Sequence, residues 1–181
     1  YDEAGPYYEE ALAMHVATLG EDHPYVITDL TNLGWLSLNT GDPAGAAERF
    51  ERSVALSRRV YAETNPKLIH AINAQATAEQ QLGRLESAET LFREGVALAE
   101  ELYGADHAGT ADALLDLAEC LSEMDRNAEA DSLSLRAIDI HVRTFGPDHE
   151  QTLRSSYNYA YSVFDRGDVE RECEGPPRCG R

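Results

Sequence analysis

Residues 19–24 read Leu-Gly-Glu-Asp-His-Pro, and near-copies follow as YAETNP at 61–66, YGADHA at 103–108 and FGPDHE at 145–150. His23, Asn65, His107 and His149 hold the matching place, each 42 residues after the last (65 − 23 = 107 − 65 = 149 − 107). A period held that strictly points to an array of stacked structural repeats. Within the unit 24–65, PYVITDLTNLGWLSLNTG sets Val26/Ile27, Leu30, Leu33/Gly34 and Ser37 on one helical stripe. Pro24 suits a first helical turn, where its missing N–H would have no partner. Asp22 or His23 can cap that helix, and Asn65 is a stronger capping residue than histidine. Gly41 stops it. PAGAAERFERSVALSRRVY then gives Ala46, Phe50, Val54 and Tyr61 as a second stripe. Each unit is read as a helical hairpin, A then B.

The copies agree where packing demands it. Small residues recur at Gly34, Ala76, Ala118 and Ala160 on helix A, and at Ala4, Ala46, Ala88 and Ala130 on helix B. Small side chains let two helix axes approach toward the ~8 Å end of the packing range. Tyr8, Phe50 and Phe92 follow four residues later, whereas the fourth copy has Ser134, which predicts looser packing there. Gly41, Gly83 and Gly167 end helix A, with Asp125 once in place of glycine.

The predicted array spans 1–167. A lone B helix covers about 6–19, because Gly5-Pro6 discourages an earlier start. Repeats follow at about 24–65, 66–107 and 108–149, then a final A helix at about 149–166. Residues 168–181 read as a capping remnant and flexible tail, since Glu172 replaces the small residue and EGPPRCGR stops a helix. The start without Met, inside a helix, reads as a fragment. An exposed apolar edge is expected at the N-terminus, where more protein or a second copy would stack, giving a homodimer through the end helices.

The formal charge is −18, from 33 acidic and 15 basic residues, so nucleic acid and anionic lipid are unsuitable partners. Fourteen of the basic residues are Arg, with Lys67 the exception, a balance that favours a bacterial source. No apolar run approaches the ~20 residues of a membrane span. Three cysteines are too few for a disulfide scaffold, and a reducing cytoplasm is the expected setting. Cys120 reads as a small core residue; Cys173 and Cys179 are either free thiols in a tail or a bridge.

Catalytic signatures are missing. The three recurring histidines tempt a metal reading, but two helices separate successive copies, placing them ~15–20 Å apart, beyond a shared ion. Capping is the expected role. HEQTL at 149–153 lacks the second His of a zinc-protease motif, and no phosphate loop or nucleophile elbow occurs. No catalytic residue, metal or cofactor is expected.

The small residue on A, Ala twelve positions later and an aromatic four beyond that resemble the tetratricopeptide repeat (TPR), whose usual unit is 34 residues. The 42-residue unit and the linker at Leu19–Pro24 resemble the kinesin light chain type. The resemblance implies an all-α fold, a right-handed α-α superhelix of antiparallel helix pairs. It also implies a concave groove lined by the A helices that binds a peptide or protein segment. Carried onto this sequence, the groove takes Thr28, Thr31, Trp35, Leu38 and Asn39; then His70, Asn73, Thr77, Gln80 and Gln81; then Asp112, Leu115, Glu119, Ser122 and Glu123; then Arg154, Tyr157, Tyr161, Phe164 and Asp165. Trp35 is open to a core or a groove reading, and the Tyr157 patch to a groove or a stacking one. Kinesin light chains bind aromatic-acidic peptides through a basic groove. This groove departs from that pattern, with only His70 and Arg154 as cations, and its acid calls for a ligand with Arg or Lys beside an apolar residue. The reading is a non-catalytic interaction scaffold; the alternatives are a self-association module, or a regulatory segment of a larger signalling enzyme such as a kinase.

Overall fold

The computed structural model describes residues 4–61 and 63–167. Among them run eight helices: α1 (Ala4–Leu19), α2 (Pro24–Asn39), α3 (Pro43–Val60), α4 (Pro66–Gln81), α5 (Leu85–Tyr103), α6 (Ala108–Glu123), α7 (Asn127–Phe145) and α8 (Glu150–Asp165). The even-numbered helices are type A and the odd-numbered type B. The tail at 168–181, with Cys173 and Cys179, lies outside the described residues.

Helix α1 begins two residues before the expected start. Pro6 falls in its first turn, where the backbone N–H has no intrahelical acceptor to lose. The recurring linker histidines are N-caps. Nδ1 of His23, His107 and His149 accepts the backbone N–H two residues on, at 3.2, 3.0 and 3.2 Å. Asn65 does more in its copy, accepting from both Lys67 and Leu68. Rings stack on two of these caps, Tyr103 on His107 and Phe145 on His149, at 4.9 and 4.6 Å. The six-letter motif is therefore a helix stop, a turn and a helix start in one. Asp125 takes the left-handed backbone, φ 59°, in the place where Gly41 and Gly83 take φ 79° and 72°.

Each helix packs on its chain neighbours, and α4 also touches α2 and α6. The small residues do what their spacing calls for. A Cβ on Gly34 would collide with the Phe50 ring. Ala76, Ala88 and Phe92 share one buried cluster with Ala118 and Ala130. Phe50 is wedged among Ala46, Ala74 and Ala78, so one B-helix aromatic seals both its own A helix and the next. Truncating such a ring to Ala costs about 3–5 kcal/mol.

The B helices are also tied to each other. Arg58 on α3 donates to Glu94 on α5 at 2.6 Å, and Arg136 on α7 donates to Glu100 on α5 at 2.7 Å. Arg93 and Arg126 share Glu89 and Glu129 across α5 and α7.

Candidate peptide-binding groove

The A helices stand side by side, and polar contacts between them map one wall. Trp35 on α2 donates its indole N–H to His70 Nε2 on α4 at 3.4 Å. Asn73 on α4 donates to Asp116 on α6 at 3.4 Å, and Gln80 to Glu123 at 2.7 Å. Ser122 on α6 meets Ser162 on α8 at 3.4 Å. Trp35 serves both of its readings: one edge packs on Phe50, with ring centroids 5.4 Å apart, while the indole nitrogen reaches along the wall. The neighbours that desolvate His70 lower its pKa from 6.5, so at neutral pH this end of the wall is uncharged.

Two clefts open on the wall. The larger, of about 870 Å³, lies between α6, α7 and α8 and is lined by Asp112, Leu115, Glu119, Glu123, Arg154, Tyr157 and Tyr161 among others. The smaller, of about 370 Å³, joins Thr77, Gln80 and Gln81 to Asp116, Glu119 and Glu123. The larger has a specific origin. Ser134 lines it together with Ala118 and Ala130, at the position where Phe50 and Phe92 fill the equivalent spaces. Without a ring at 134, the wedge between α6 and α8 stays open.

The other residues singled out from sequence fall as follows. Thr28, Asn39, Phe164 and Asp165 are exposed, and Leu38 is half-buried against the Phe50 cluster. Tyr157 and Tyr161 stack at 6.5 Å on the open side of α8. Thr31 is not available to a ligand. It is buried, and its hydroxyl bonds Ile27 O and Ser53 Oγ, both at 2.8 Å, so it faces helix B instead of the groove. Asn73 and Leu115 share that register. Asn73 Oδ1 lies against Gly95, where a Cβ would collide with it, and Leu115 packs on the cluster holding Ala137. Within this register the amide of Asn73 still reaches the wall through Asp116.

Asp116 is the residue that the groove pattern skipped. It lies half-buried with Asp112 and Glu119 beside it. Burial first, then the charges of Asp112 and Glu119, push its pKa up to about 7. Burial and Glu123 raise Glu119 as well. A signal was present: Asp112, Asp116, Glu119 and Glu123 fall at i, i+4, i+7 and i+11, one face of one helix. Cys120 behind them is buried, and burial lifts its thiol to about 11, so it is no nucleophile at neutral pH.

The tetratricopeptide repeat model matches residues 1–59 and 67–141, well over half of the chain. The chain belongs to the tetratricopeptide repeat family. Its fold is the right-handed TPR solenoid of kinesin-light-chain-like proteins. A Podosopora anserina protein described as a candidate kinesin light chain with nearly identical TPR-like repeats superposes with a TM-score of 0.79 at 22% identity, over 96% of this chain and 82% of that one. BtubC (BKLC) from P. vanneervenii superposes with a TM-score of 0.74 at 16% identity, over 94% of this chain and 66% of that one. MamA follows at 0.56 and 16% identity, over 94% and 91%. No curated protein sequence matches the chain significantly. Repeats of this family make the chain a protein-interaction scaffold, and no helix among the described residues is long and apolar enough to cross a membrane.

Proposed function

We propose that the A-helix wall binds an extended protein segment carrying Arg or Lys beside an aromatic or aliphatic residue, without catalysis. The observation that carries this reading is the cleft at Ser134. Its floor is small and apolar at Ala118 and Ala130, and its rim holds Asp112, Asp116, Glu119 and Glu123. An apolar side chain fills the space that a repeat ring fills elsewhere, and a neighbouring cation meets the carboxylates. Amides at Gln80 and Gln81 supply backbone hydrogen bonds. Arg154 and Arg166 line the same cleft, Arg166 paired with Asp131, but neither forms an ion pair with the α6 carboxylates, and Arg58, Arg93, Arg126, Arg136 and Arg143 are engaged with carboxylates of the B helices and linkers. The cytoplasm is the setting we assign, from the low cysteine content.

Two N-acetylated peptides of equal length test the reading, one alternating Arg with Leu and Phe, the other replacing each Arg by Glu. Calorimetric titration should give binding for the first, weakening with salt, and none for the second. Equal binding of both, or of neither, removes the proposal.

A further inference from the structure

Asp116, Glu119 and Glu123 line the smaller cleft as well as the larger one. The smaller cleft is formed by α4, α5 and α6 alone, in the middle of the array, with Phe92 as its floor. One repeat earlier the same place is full. Thr77, Gln80, Phe92 and Asp116 correspond to Trp35, Leu38, Phe50 and Ala74, each 42 residues before. There the Trp35 ring stands edge-on to Phe50 with centroids 5.4 Å apart, and Leu38 packs on the same cluster. The indole N–H donates to His70 on the next A helix. Phe50 is covered, then, by a flat group whose edge bears an N–H. Over Phe92 the matching residue is Thr77, whose hydroxyl turns back to Asn73 O on its own helix at 3.0 Å.

The carboxylates around this space are short of positive charge. Asp116 and Glu123 accept from neutral amides, Asn73 Nδ2 at 3.4 Å and Gln80 Nε2 at 2.7 Å. At the start of the same strip, the fully buried His141 turns an Nε2 that makes no hydrogen bond toward Asp112, 3.6 Å away. Burial first, then neighbouring carboxylates, raises the pKa values of Asp116 and Glu119. The strip holds protons in place of a cation.

We propose that the smaller cleft is an arginine seat, in which a guanidinium of the bound segment enters between α4 and α6 over Phe92, is shared by Asp116, Glu119 and Glu123, and is not replaced by lysine. This rests on the reading of the A-helix wall as a surface for a basic segment, and adds which cation it takes and where. A guanidinium is flat, as the indole of Trp35 is. Its faces are weakly hydrated and suit an apolar floor, and its edge carries five N–H donors in a fixed fork that several carboxylates can share. An ammonium is a compact, strongly hydrated point charge with no flat face, so it gives up more hydration in a half-buried cleft. The shared carboxylates also set the path. With the guanidinium between α4 and α6, the apolar residue beside it falls to the larger cleft on the other side of α6, and the segment crosses that helix.

Calorimetric titration with the peptide alternating Arg with Leu and Phe, and with a copy in which every Arg is Lys, tests the seat. The Arg peptide should bind at least about tenfold tighter than the Lys peptide. Thr77→Trp gives Phe92 the cover that Phe50 has and leaves every carboxylate in place; it should bring the Arg peptide down to the level of the Lys peptide. Gln80→Arg, from a position that already reaches Glu123, supplies the guanidinium from the chain itself and should do the same if the Trp variant fails to fold. Circular dichroism checks that helicity is intact. Equal binding of the two peptides by the wild-type chain overturns the arginine seat and leaves the basic-segment reading standing. A preference for Arg that survives in a folded Thr77→Trp or Gln80→Arg variant overturns it too, by placing the guanidinium elsewhere. Binding of neither peptide removes the basic-segment reading, and the seat with it.

Discussion

On the B-helix wall arginines reach across from one repeat to the next and meet carboxylates, Arg58 with Glu94, Arg93 with Glu129 and Arg136 with Glu100. On the A-helix wall the carboxylates of α6 meet each other, two amides and, at Asp112, the His141 ring 3.6 Å away, with no arginine pairing them, and the pKa of Asp116 rises to about 7. Both walls are rich in polar side chains, yet one is internally compensated and the other is not. Exposed pairs contribute little stability each, a median of about 0–1 kcal/mol, but they remove the need for an outside partner. The contrast teaches where to look for one.

The contrast breaks most visibly if its acid is reversed. Glu119→Lys with Glu123→Lys should weaken the Arg-bearing peptide by about 100-fold, roughly 2.7 kcal/mol, with helicity intact. Unchanged affinity would separate the acid from binding. Asp116→Asn comes next and concerns stability. A carboxyl whose folded pKa is raised favours its protonated form in the fold, so the native state holds a proton that the unfolded state has released between about pH 4 and pH 7. Stability should be full below pH 4, fall as pH rises to about 7 and stay lower above it. The fall should be on the order of 2 kcal/mol, less than the full shift implies because the groove is open to water. The Asn variant should flatten that slope in thermal melts across pH, and an equally steep slope would locate the buried proton elsewhere.

Ser134→Phe restores the ring of the other repeats. It should close the larger cleft and weaken binding of the Phe-bearing peptide by about tenfold, roughly 1.4 kcal/mol, while an otherwise identical peptide with Ala for Phe binds as before. An equal loss for both peptides would mean the cleft does not take the ring. Smallest is the control on the opposite wall. Arg93→Ala removes an arginine shared by Glu89 and Glu129, and should cost no more than about 1 kcal/mol of stability. Peptide affinity measured beside it should not change; a marked loss would show that the two walls are not independent.

The fold was legible because it is written several times. Period, small residues, rings and linker caps repeat, and each copy corrects the reading of another: Asn65 reveals what the histidines do. The wall was harder to read. A groove position defined by a family register cannot tell which way a small polar side chain turns. The register puts Thr31 in the groove, but Ser53 offers it a buried partner, which outweighs solvent for a hydroxyl that can also bond Ile27 O. Asp116 was missed for the opposite reason. Its register is occupied by Ala74 in the second repeat, so the register read as packing, and only the i, i+4, i+7 acid spacing within α6 marked it out. Ser134 marks a weak spot in the packing from sequence alone, but that the weakness opens toward the acid of α6 shows only with three helices placed together.

The most direct test of an uncompensated A-helix wall is the proton count on binding the Arg-bearing peptide at pH 7, measured by calorimetry in buffers of different ionisation enthalpy. With its pKa near 7, Asp116 is about half protonated, and a nearby guanidinium pulls a carboxyl pKa down by about 1–3 units. Release of about half a proton, abolished in Asp116→Asn, is the expected result. Binding with no proton released, or with proton uptake, would contradict the account.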